Sequence, residues 1–275
     1  MSTQHEKAAA FQALHQREGA FIIPNPWDVG SARLLAGLGF EALATTSLGL
    51  ANMRGTAGVA MRQILDNCRD IAEATPLPVN VDLENGGGAR PEDAAQAIAL
   101  AAESGAVGGS IEDYSGDRSA PIYDFELAVE RIAAAAEAAR ALPIPFMLTA
   151  RAENYLHGRK DIDDTIRRLQ AFSAAGADVL YAPGLYDLET IRAVVQAVDR
   201  PFNLVMGFAD HALTMPDLVA AGVKRISLGG AFSRIALNAV LVAARDMRES
   251  GRFSSLDDAI PMQTVWELWE RGRAG

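Results

Sequence analysis

The sequence predicts an α/β protein of the (β/α)8 TIM-barrel class. Along its 275 residues, a short apolar run followed by a helical pattern occurs eight times. The runs are unbroken rather than alternating, as expected for parallel strands that are covered on both faces. Eight such units in about 250 residues have the proportions of a barrel. A doubly wound sheet, which usually has fewer strands, is the alternative.

The individual elements follow from the apolar runs and from the proline and glycine residues that interrupt them. The predicted strands are residues 21–23, 42–46, 79–82, 107–111, 146–149, 179–181, 202–206 and 225–228. The helices that follow them are residues 31–38, 61–74, a helix that begins at Pro91, 124–141, 161–175, 187–197, 215–221 and 232–249. A helix over residues 5–18 precedes the first strand, and residues 47–58 are predicted as a loop.

A further helical segment, residues 255–271, follows the eighth unit. A ring of eight helices has no place for it, so we predict that it packs across a subunit boundary, where Trp266 and Trp269 would be covered. No linker or change of composition marks a second domain. We therefore predict one barrel domain over residues 1–275, with residues 255–275 as a C-terminal helical arm exchanged between subunits.

The composition excludes several classes of partner. The net charge of −10 argues against nucleic acid and anionic membranes, because binding to phosphate groups requires a basic face. The single cysteine, Cys68, excludes a disulfide framework and favours a reducing, cytoplasmic location. The N-terminal segment lacks the apolar core of a signal peptide, and no later segment approaches the length of a membrane span.

Three carboxylates stand at the ends of two strands that are consecutive in the chain. Asp82 and Glu84 follow the third apolar run, and Glu112 follows the fourth. Side chains alternate along a strand, so Asp82 and Glu84 are predicted to point to the same side, and parallel pairing would bring Glu112 to them. Oxygen ligands of this kind suit a hard divalent cation, Mg²⁺ or Mn²⁺. The alternative is a set of solvated carboxylates that cap the following helices.

An arginine, Arg151, is predicted to lie beside these acids, because it ends the fifth strand. A divalent cation with a guanidinium and backbone N–H groups nearby would bind a small carboxylic or 2-oxo acid and stabilise an enolate. The alternative role for Arg151 is an ion pair with Glu153 or Glu112. His157 and His211 lie in loops on the same side; they could act as acid–base groups, and the alternative, which we favour, is that they are ordinary loop histidines.

Several motifs in order resemble the isocitrate lyase/phosphoenolpyruvate mutase superfamily along nearly the whole chain. They are Asn25-Pro26-Trp27-Asp28, Thr45-Thr46-Ser47, Asp82-Leu83-Glu84-Asn85-Gly86, Ser110-Ile111-Glu112-Asp113, Thr149-Ala150-Arg151 and Ser227-Leu228-Gly229-Gly230. The resemblance implies a barrel whose last helix is exchanged with a partner, in a homotetramer built as a dimer of dimers. It also implies that Mg²⁺ is held by Asp82, Glu84 and Glu112, mostly through water.

The same resemblance implies where the substrate binds. Its carboxylate is expected against the backbone of Ser47, Leu48 and Gly49, with Arg151 balancing its charge. Asn203 matches a position that contacts substrate in the lyase branch, and Trp27 of the first motif is a further candidate for substrate binding.

The loop after the fourth strand departs from the superfamily pattern. The lyases carry a Lys-Lys-Cys-Gly-His type of motif there and the mutases a lysine and an asparagine, whereas residues 114–121 read Tyr-Ser-Gly-Asp-Arg-Ser-Ala-Pro. An aspartate common after the second strand is replaced by Gly58. The catalytic candidates that remain are Arg151, Glu112 and Tyr114, whose hydroxyl can donate a proton to an enolate.

Three functions are compatible with these features. The first is a Mg²⁺-dependent lyase that cleaves a C–C bond of a small 2-oxo or 2-hydroxy acid through an enolate, in the manner of an oxaloacetate decarboxylase. The second is cleavage of a P–C bond in a phosphonopyruvate-like substrate, with Arg151, Arg118 or Arg159 as the only available cations. The third is a barrel that binds small diacids without catalysis.

Overall fold

The computed structural model describes residues 2–274 and confirms the predicted barrel, with eight parallel strands in one sheet. The strands are β1 (Phe21–Ile23), β2 (Leu43–Ala44), β3 (Val79–Asp82), β4 (Gly108–Glu112), β5 (Met147–Arg151), β6 (Val179–Tyr181), β7 (Phe202–Val205) and β8 (Arg225–Ser227). Consecutive strands from β2 to β8 pair in parallel, and β8 pairs with β1. A hydrogen bond of 3.0 Å from the Ala44 N–H to the Pro24 carbonyl links the two remaining edges, so the barrel is nearly closed.

The helices are α1 (Gln4–Gln16), α2 (Val29–Gly37), α3 (Ser47–Arg54), α4 (Met61–Ala74), α5 (Pro91–Glu103), α6 (Phe125–Arg140), α7 (Ile162–Ala174), α8 (Leu188–Gln196), α9 (Met215–Ala220), α10 (Ala231–Ser250) and α11 (Met262–Ala274), with a short 3₁₀ helix at Ser254–Asp258. Most of the hydrophobic core lies between the sheet and the surrounding helices. Cys68 belongs to this core, and burial raises the pKa of its thiol to about 11.

Helix α1 closes the N-terminal end of the barrel. Its Phe11 and Leu14 pack with the inward-facing Phe21, Met147 and Val179 in a second apolar cluster. Because this end is filled with side chains, the interior of the barrel opens only toward the carboxyl ends of the strands. That is the end at which barrels of this class carry their sites.

The predicted loop over residues 47–58 is partly wrong, because residues 47–54 form helix α3. Thr46 caps the helix by accepting a hydrogen bond of 3.1 Å from the N–H of Gly49, and Gly55 ends it in the left-handed conformation. Sequence reasoning missed the helix because it is short and contains a glycine. A capping threonine nine residues before a terminating glycine was the signal that could have revealed it.

The C-terminal arm folds back onto its own chain. Helix α11 packs on α2, where Leu268 is buried and the Trp269 indole N–H donates a hydrogen bond of 3.0 Å to the Gly30 carbonyl. Gly37 and Gly272 permit this close approach, because a methyl group at either position would overlap backbone atoms of the opposite helix. A partner subunit is therefore not needed to cover Trp269, although Trp266 is 53% exposed. Exchange of the arm between subunits remains a prediction.

Helix α10 has an uncovered apolar face. Ile235, Val240 and Val242 are 62%, 68% and 58% exposed. Neither α10 nor any other helix among residues 2–274 is long and apolar enough to cross a membrane.

Candidate active site

A cavity of about 430 Å³ opens at the carboxyl ends of the strands. Its wall includes most of the residues singled out from the sequence: Ser47, Leu48, Asp82, Glu84, Glu112, Tyr114, Arg151 and Asn203. Trp27 and Gly49 are not among the side chains that line it, within residues 2–274. The structure therefore brings the predicted acids, the arginine and the loop tyrosine together in one place.

Arg151 is surrounded by three carboxylates. Its Nη1 atom lies 2.9 Å from Asp82 Oδ1, and its Nη2 atom lies 2.9 Å from Glu112 Oε2. Its Nε atom lies 2.9 Å from Glu153 Oε1, and its guanidinium stands over the ring of Tyr181, 5.0 Å from the centroid. Burial alone would lower the pKa of Arg151, but the charges of Glu112 and Glu153 outweigh it and raise that pKa. Each of the three nitrogen atoms of the guanidinium thus takes part in an ion pair.

The cluster as a whole carries more negative than positive charge. Burial raises the pKa of Glu112 well above its ordinary value, and the charges of Glu153, Asp82 and Glu84 add to the shift while Arg151 opposes it. Burial also raises the pKa of Glu84, and the charge of Asp82 is the second cause. Carboxylates crowded in this way either take up a proton or attract a further cation.

Glu84 reaches the cavity by a route different from the predicted one. Strand β3 ends at Asp82, so the alternation of side chains along a strand does not extend to Glu84. Glu84 instead adopts a φ of 51°, the only positive φ of a non-glycine residue within residues 2–274. Its carbonyl accepts a hydrogen bond of 3.0 Å from the Glu112 N–H, which joins the two acidic segments. Backbone strain of this kind is concentrated at functional sites.

Helix α3 places Ser47 and Leu48 at the wall and keeps Gly49 behind them. The N–H and hydroxyl of Ser47 both donate to Asp82 Oδ2, at 3.0 and 2.8 Å. Leu48 is 47% exposed and lines the cavity, whereas Gly49 is buried against Thr46. Ser47 therefore orients the Asp82 carboxylate in addition to any contact with substrate.

Trp27 lies outside the cavity, beside α3 and α4. Its Cβ atom is near Gly49, and its carbonyl accepts a hydrogen bond of 2.9 Å from Asn67 Nδ2. Substrate binding by Trp27 remains a prediction.

The acidic residues fit a hydrated divalent cation better than a tightly coordinated one. No group of three or more His, Cys, Asp or Glu side chains in residues 2–274 is arranged to hold a metal ion directly. Mg²⁺ retains several waters and commonly takes only one or two carboxylates as direct ligands. The oxygen donors of Asp82, Glu84 and Glu112 and their surplus negative charge match that requirement. Mg²⁺ or Mn²⁺ at these residues remains a prediction.

Tyr114 and His157 cover one side of the cavity. Their rings are stacked, with centroids 4.1 Å apart and an angle of 5° between the planes. Tyr114 belongs to the loop after β4, whose two ends pair through a hydrogen bond of 2.8 Å from the Ser115 N–H to the Pro121 carbonyl. His157 comes from the loop after β5, so the stack joins the two loops. His211 is exposed and lies outside the wall of this cavity.

Asp113 anchors the same two loops from below. Its Oδ1 atom accepts a hydrogen bond of 2.8 Å from the Glu153 N–H, and its Oδ2 atom lies 3.1 Å from Arg168 Nη1. Burial raises the pKa of Asp113 to about 7, although the Glu153 N–H and Arg168 oppose the shift. Both carboxylate oxygens of Asp113 are engaged in these contacts, which link the loop after β4 to the loop after β5 and to α7.

The inner part of the cavity contains polar residues that the sequence did not reveal as a group. Asn203 Oδ1 accepts a hydrogen bond of 2.8 Å from Arg225 Nε, and Asn203 Nδ2 donates one of 3.0 Å to Ser227 Oγ. Tyr181 is also part of this wall. Sequence reasoning missed Arg225 and Tyr181 because charged and aromatic residues in short strands were not assigned to the inner face. The period of two along each strand was the available signal.

Comparison with known proteins supports the motif-based resemblance. The family model described as phosphoenolpyruvate phosphomutase matches residues 11–248. The chain is 28% identical to 2-methylisocitrate lyase of Escherichia coli, over 97% of this chain and 92% of the relative. It is 25% identical to oxaloacetate decarboxylase of Ectopseudomonas mendocina, over 90% of this chain and 86% of the relative.

A solved structure of a provisionally named lyase/mutase from Burkholderia cenocepacia is 55% identical to the chain. The two superpose with a TM-score of 0.94, over 97% of this chain and 96% of that one. The family match, the barrel and the ordered motifs agree with one another. The chain belongs to the phosphoenolpyruvate phosphomutase family within the isocitrate lyase/phosphoenolpyruvate mutase superfamily.

Proposed function

We propose that the protein is a Mg²⁺- or Mn²⁺-dependent lyase that cleaves a C–C bond of a small 2-oxo or 2-hydroxy carboxylic acid through an enolate. The observation that carries the proposal is the buried cluster in which Arg151 pairs with Asp82, Glu112 and Glu153 while a net negative charge remains. A surplus of this kind at the mouth of a barrel favours a divalent cation and a substrate that chelates it.

Each residue of the cluster has a distinct role in this proposal. Asp82, Glu84 and Glu112 would hold the cation, which would polarise the 2-oxo acid and stabilise the charge of the enolate. Arg151 opposes the rise in the pKa of Glu112 and fixes the orientation of the carboxylates, and Ser47 holds the second oxygen of Asp82. Tyr114, at the edge of the cavity, is positioned to donate a proton to the enolate.

The loop over residues 113–121 favours a reaction that does not begin with proton abstraction. Its titratable side chains are Asp113, Tyr114, Asp117 and Arg118. Asp113 is buried in structural contacts, and Asp117 bonds to Ser119 within the exposed part of the loop. Decarboxylation of an acid such as oxaloacetate needs no base before the C–C bond breaks. We therefore expect no cleavage of isocitrate or 2-methylisocitrate.

Cleavage of a P–C bond is less well supported. A phosphonate carries up to two negative charges and requires available cations. Arg151 is committed to three carboxylates, and Arg118 and Arg159 are exposed side chains that do not line the cavity within residues 2–274. Arg225 is the one other arginine in the described wall, and a single guanidinium balances only one of the two charges. The third candidate function, binding of small diacids without catalysis, would be recognised by metal-dependent binding without turnover.

We also propose a homotetramer built as a dimer of dimers and a cytoplasmic location. The exposed apolar face of α10, with Ile235 and Val240, supports an interface with another copy of the chain. The net charge of −10 supports a small-molecule partner rather than nucleic acid or an anionic membrane.

A substrate screen tests the proposed reaction. The protein is incubated with Mg²⁺ and oxaloacetate, phosphonopyruvate, isocitrate or 2-methylisocitrate, and products are identified by NMR. We expect metal-dependent consumption of oxaloacetate, which chelator and Glu112→Gln abolish and the α5 variant Glu92→Gln leaves intact. Turnover of either tricarboxylate on the order of 1 s⁻¹ would refute the interpretation of the loop. Metal-dependent binding without any turnover would favour the non-catalytic alternative.

A further inference from the structure

Arg225 is a buried guanidinium without a carboxylate partner. It is 3% exposed, and it forms no ion pair with any aspartate or glutamate of residues 2–274. Its Nε atom donates to Asn203 Oδ1 at 2.8 Å and its Nη2 atom to Thr149 Oγ1 at 2.9 Å. Its Nη1 atom lies 3.4 Å from His15 Nε2. A guanidinium has about five N–H groups, so some of them have no acceptor among the described residues.

The surroundings of Arg225 are neutral, so its charge is not compensated. His15 donates from Nδ1 to the Phe11 carbonyl at 2.8 Å, which leaves Nε2 as an acceptor. Burial, with the charge of Arg225 as the second cause, lowers the pKa of His15 to about 3. Burial raises the pKa of Tyr181, so its hydroxyl is also neutral. Burial lowers the pKa of Arg225 to about 9, and it is therefore still charged at neutral pH.

This charge faces the same cavity as the acidic cluster. Arg225 and Arg151 both line it, but only Arg151 has carboxylate partners. Asn80, at 4% exposure, lies in the same wall, and its Oδ1 atom has no hydrogen-bond partner among the described residues. A buried charge without a counter-charge is costly. The inner cavity therefore has polar groups that the protein does not satisfy by itself.

Arg225 and the acidic cluster lie at two different levels of the same cavity. Arg225 reaches across the barrel to Thr149, which precedes Arg151 by two positions on β5. Two residues of strand correspond to about 7 Å. A four-carbon chain can span the two levels of the cavity, whereas a ligand that stops at the acidic cluster does not reach the inner guanidinium.

We propose that Arg225 forms an inner anion site that binds the second carboxylate of a dicarboxylic 2-oxo or 2-hydroxy acid. The proposal rests on the proposed function for the position of the first carboxylate, at the cation-binding cluster. One guanidinium balances the single charge of a carboxylate, and no second cation is present at this level among the described lining residues. In oxaloacetate this second carboxylate is the one that leaves as CO₂ when the C3–C4 bond breaks, and the electron pair of that bond passes to the enolate at the acidic cluster.

The test compares two ligands of equal chain length, L-malate and L-2-hydroxybutanoate, by titration calorimetry in the presence of Mg²⁺. The wild-type protein should bind malate at least about tenfold more tightly, because only malate has the second carboxylate; tenfold corresponds to about 1.4 kcal/mol. Arg225→Met should bring the ratio of the two affinities to within about twofold. The affinity for 2-hydroxybutanoate should change little.

A second variant keeps the test decisive if Arg225→Met does not fold. Asn203→Asp places a carboxylate on the atom that already accepts from Arg225 Nε, and thus neutralises the guanidinium inside the barrel. It should remove the preference for malate while retaining the fold, as checked by circular dichroism. An unchanged preference in either folded variant would overturn the proposal. Tighter binding of 3-phosphonolactate than of malate would overturn the assignment to a carboxylate.

The two proposals fail in different ways. A preference for malate that depends on Arg225, without turnover of any substrate, would support the anion site and refute the lyase. Metal-dependent turnover together with equal affinity for malate and 2-hydroxybutanoate would refute the anion site and leave the lyase intact.

Discussion

Replacement of Arg151 by glutamine tests the charge balance of the cluster. The side chain of Arg151 is 14% exposed, and its partners Asp82 and Glu112 are 19% and 9% exposed. Removal of one partner from a buried ion-pair network typically costs about 3–5 kcal/mol, because the remaining charges stay buried without compensation. We expect Arg151→Gln to lower the free energy of unfolding by an amount in this range at pH 7 in the absence of metal.

The loss should depend on pH in a defined direction. The pKa of Glu112 is raised in the folded protein, so its ionised form opposes folding at any pH above its value in the unfolded chain. Without the positive charge of Arg151, the ionised form of Glu112 should oppose folding more strongly. The penalty of Arg151→Gln should therefore be largest near neutral pH and decrease as the pH falls through the raised pKa, where Glu112 takes up a proton.

Divalent cations should partly compensate for the substitution. A ligand that binds only the folded state stabilises it by about 2.7 kcal/mol at 100 times its dissociation constant. The variant has lost a competing positive charge, so Mg²⁺ should stabilise it more than it stabilises the wild-type protein. Urea unfolding with and without Mg²⁺, at pH 5 and 7, measures both effects.

A surface variant provides the control for this experiment. Arg62 is 92% exposed and lies 3.7 Å from Asp66. Arg62→Gln should change stability by no more than about 0.5 kcal/mol. If Arg151→Gln is no more destabilising than Arg62→Gln, or if Mg²⁺ stabilises it less than the wild type, the described charge balance is wrong.

Three further predictions concern other parts of the molecule. The pKa of His15 is about 3 in the folded protein, below its ordinary value. Between pH 7.5 and 5 His15 therefore takes up a proton only in the unfolded chain, which should lower the free energy of unfolding by about 2 kcal/mol. His15→Asn should remove this contribution in urea unfolding at the two pH values, and an equal pH dependence in the variant would contradict it. Gly272→Ala should detach α11 from α2 and expose the arm to limited proteolysis, whereas Gly58→Ala, which meets no neighbouring atom within 4 Å, should not. Val240→Asp on α10 should lower the mass measured by light scattering, and an unchanged mass would argue against an interface at this face.

The barrel was predictable because its pattern repeats. Each strand is a short apolar run bounded by proline, glycine or polar residues, and each is followed by a longer helical pattern. A single misassigned segment, such as residues 47–54, does not change the count of strands. Exact boundaries were less predictable, because the ends of β4 and β5 depend on pairing, which the sequence does not display: Glu112 and Arg151 lie inside the ladder rather than after it.

The residues of the acidic cluster could be predicted from the sequence, but the backbone conformation that positions Glu84 could not. Asp82, Glu112 and Arg151 end strands that are adjacent in the barrel, so topology alone brings them together. The left-handed backbone of Glu84 could not be predicted, because a non-glycine residue in that region is uncommon. Its position depends on the hydrogen bond with the Glu112 N–H, a contact between segments far apart in the sequence.

The inner site and the arm depend on long-range packing. Arg225 contacts Thr149 and His15, which are distant in sequence, so its isolation from carboxylates becomes evident only in the folded barrel. The arm shows the same limitation. Its tryptophans indicated a covered surface, and Trp269 has one, whereas Trp266 is largely exposed. The surface lies on α2 of the same chain, where Gly37 permits the backbone of α11 to approach closely.

The binding of Mn²⁺ to the wild-type protein and to Asp82→Asn is the most direct test of the central claim, that these carboxylates form a cation site. Mn²⁺ is titrated by electron paramagnetic resonance, with metal-free unfolding curves of both proteins as the control for folding. We predict one Mn²⁺ per chain in the wild type and none in the variant at the same concentrations, and we expect the metal-free variant still to unfold cooperatively, as a folded protein does. Equal Mn²⁺ binding by Asp82→Asn, or full catalytic activity of that variant in chelator, would contradict the account.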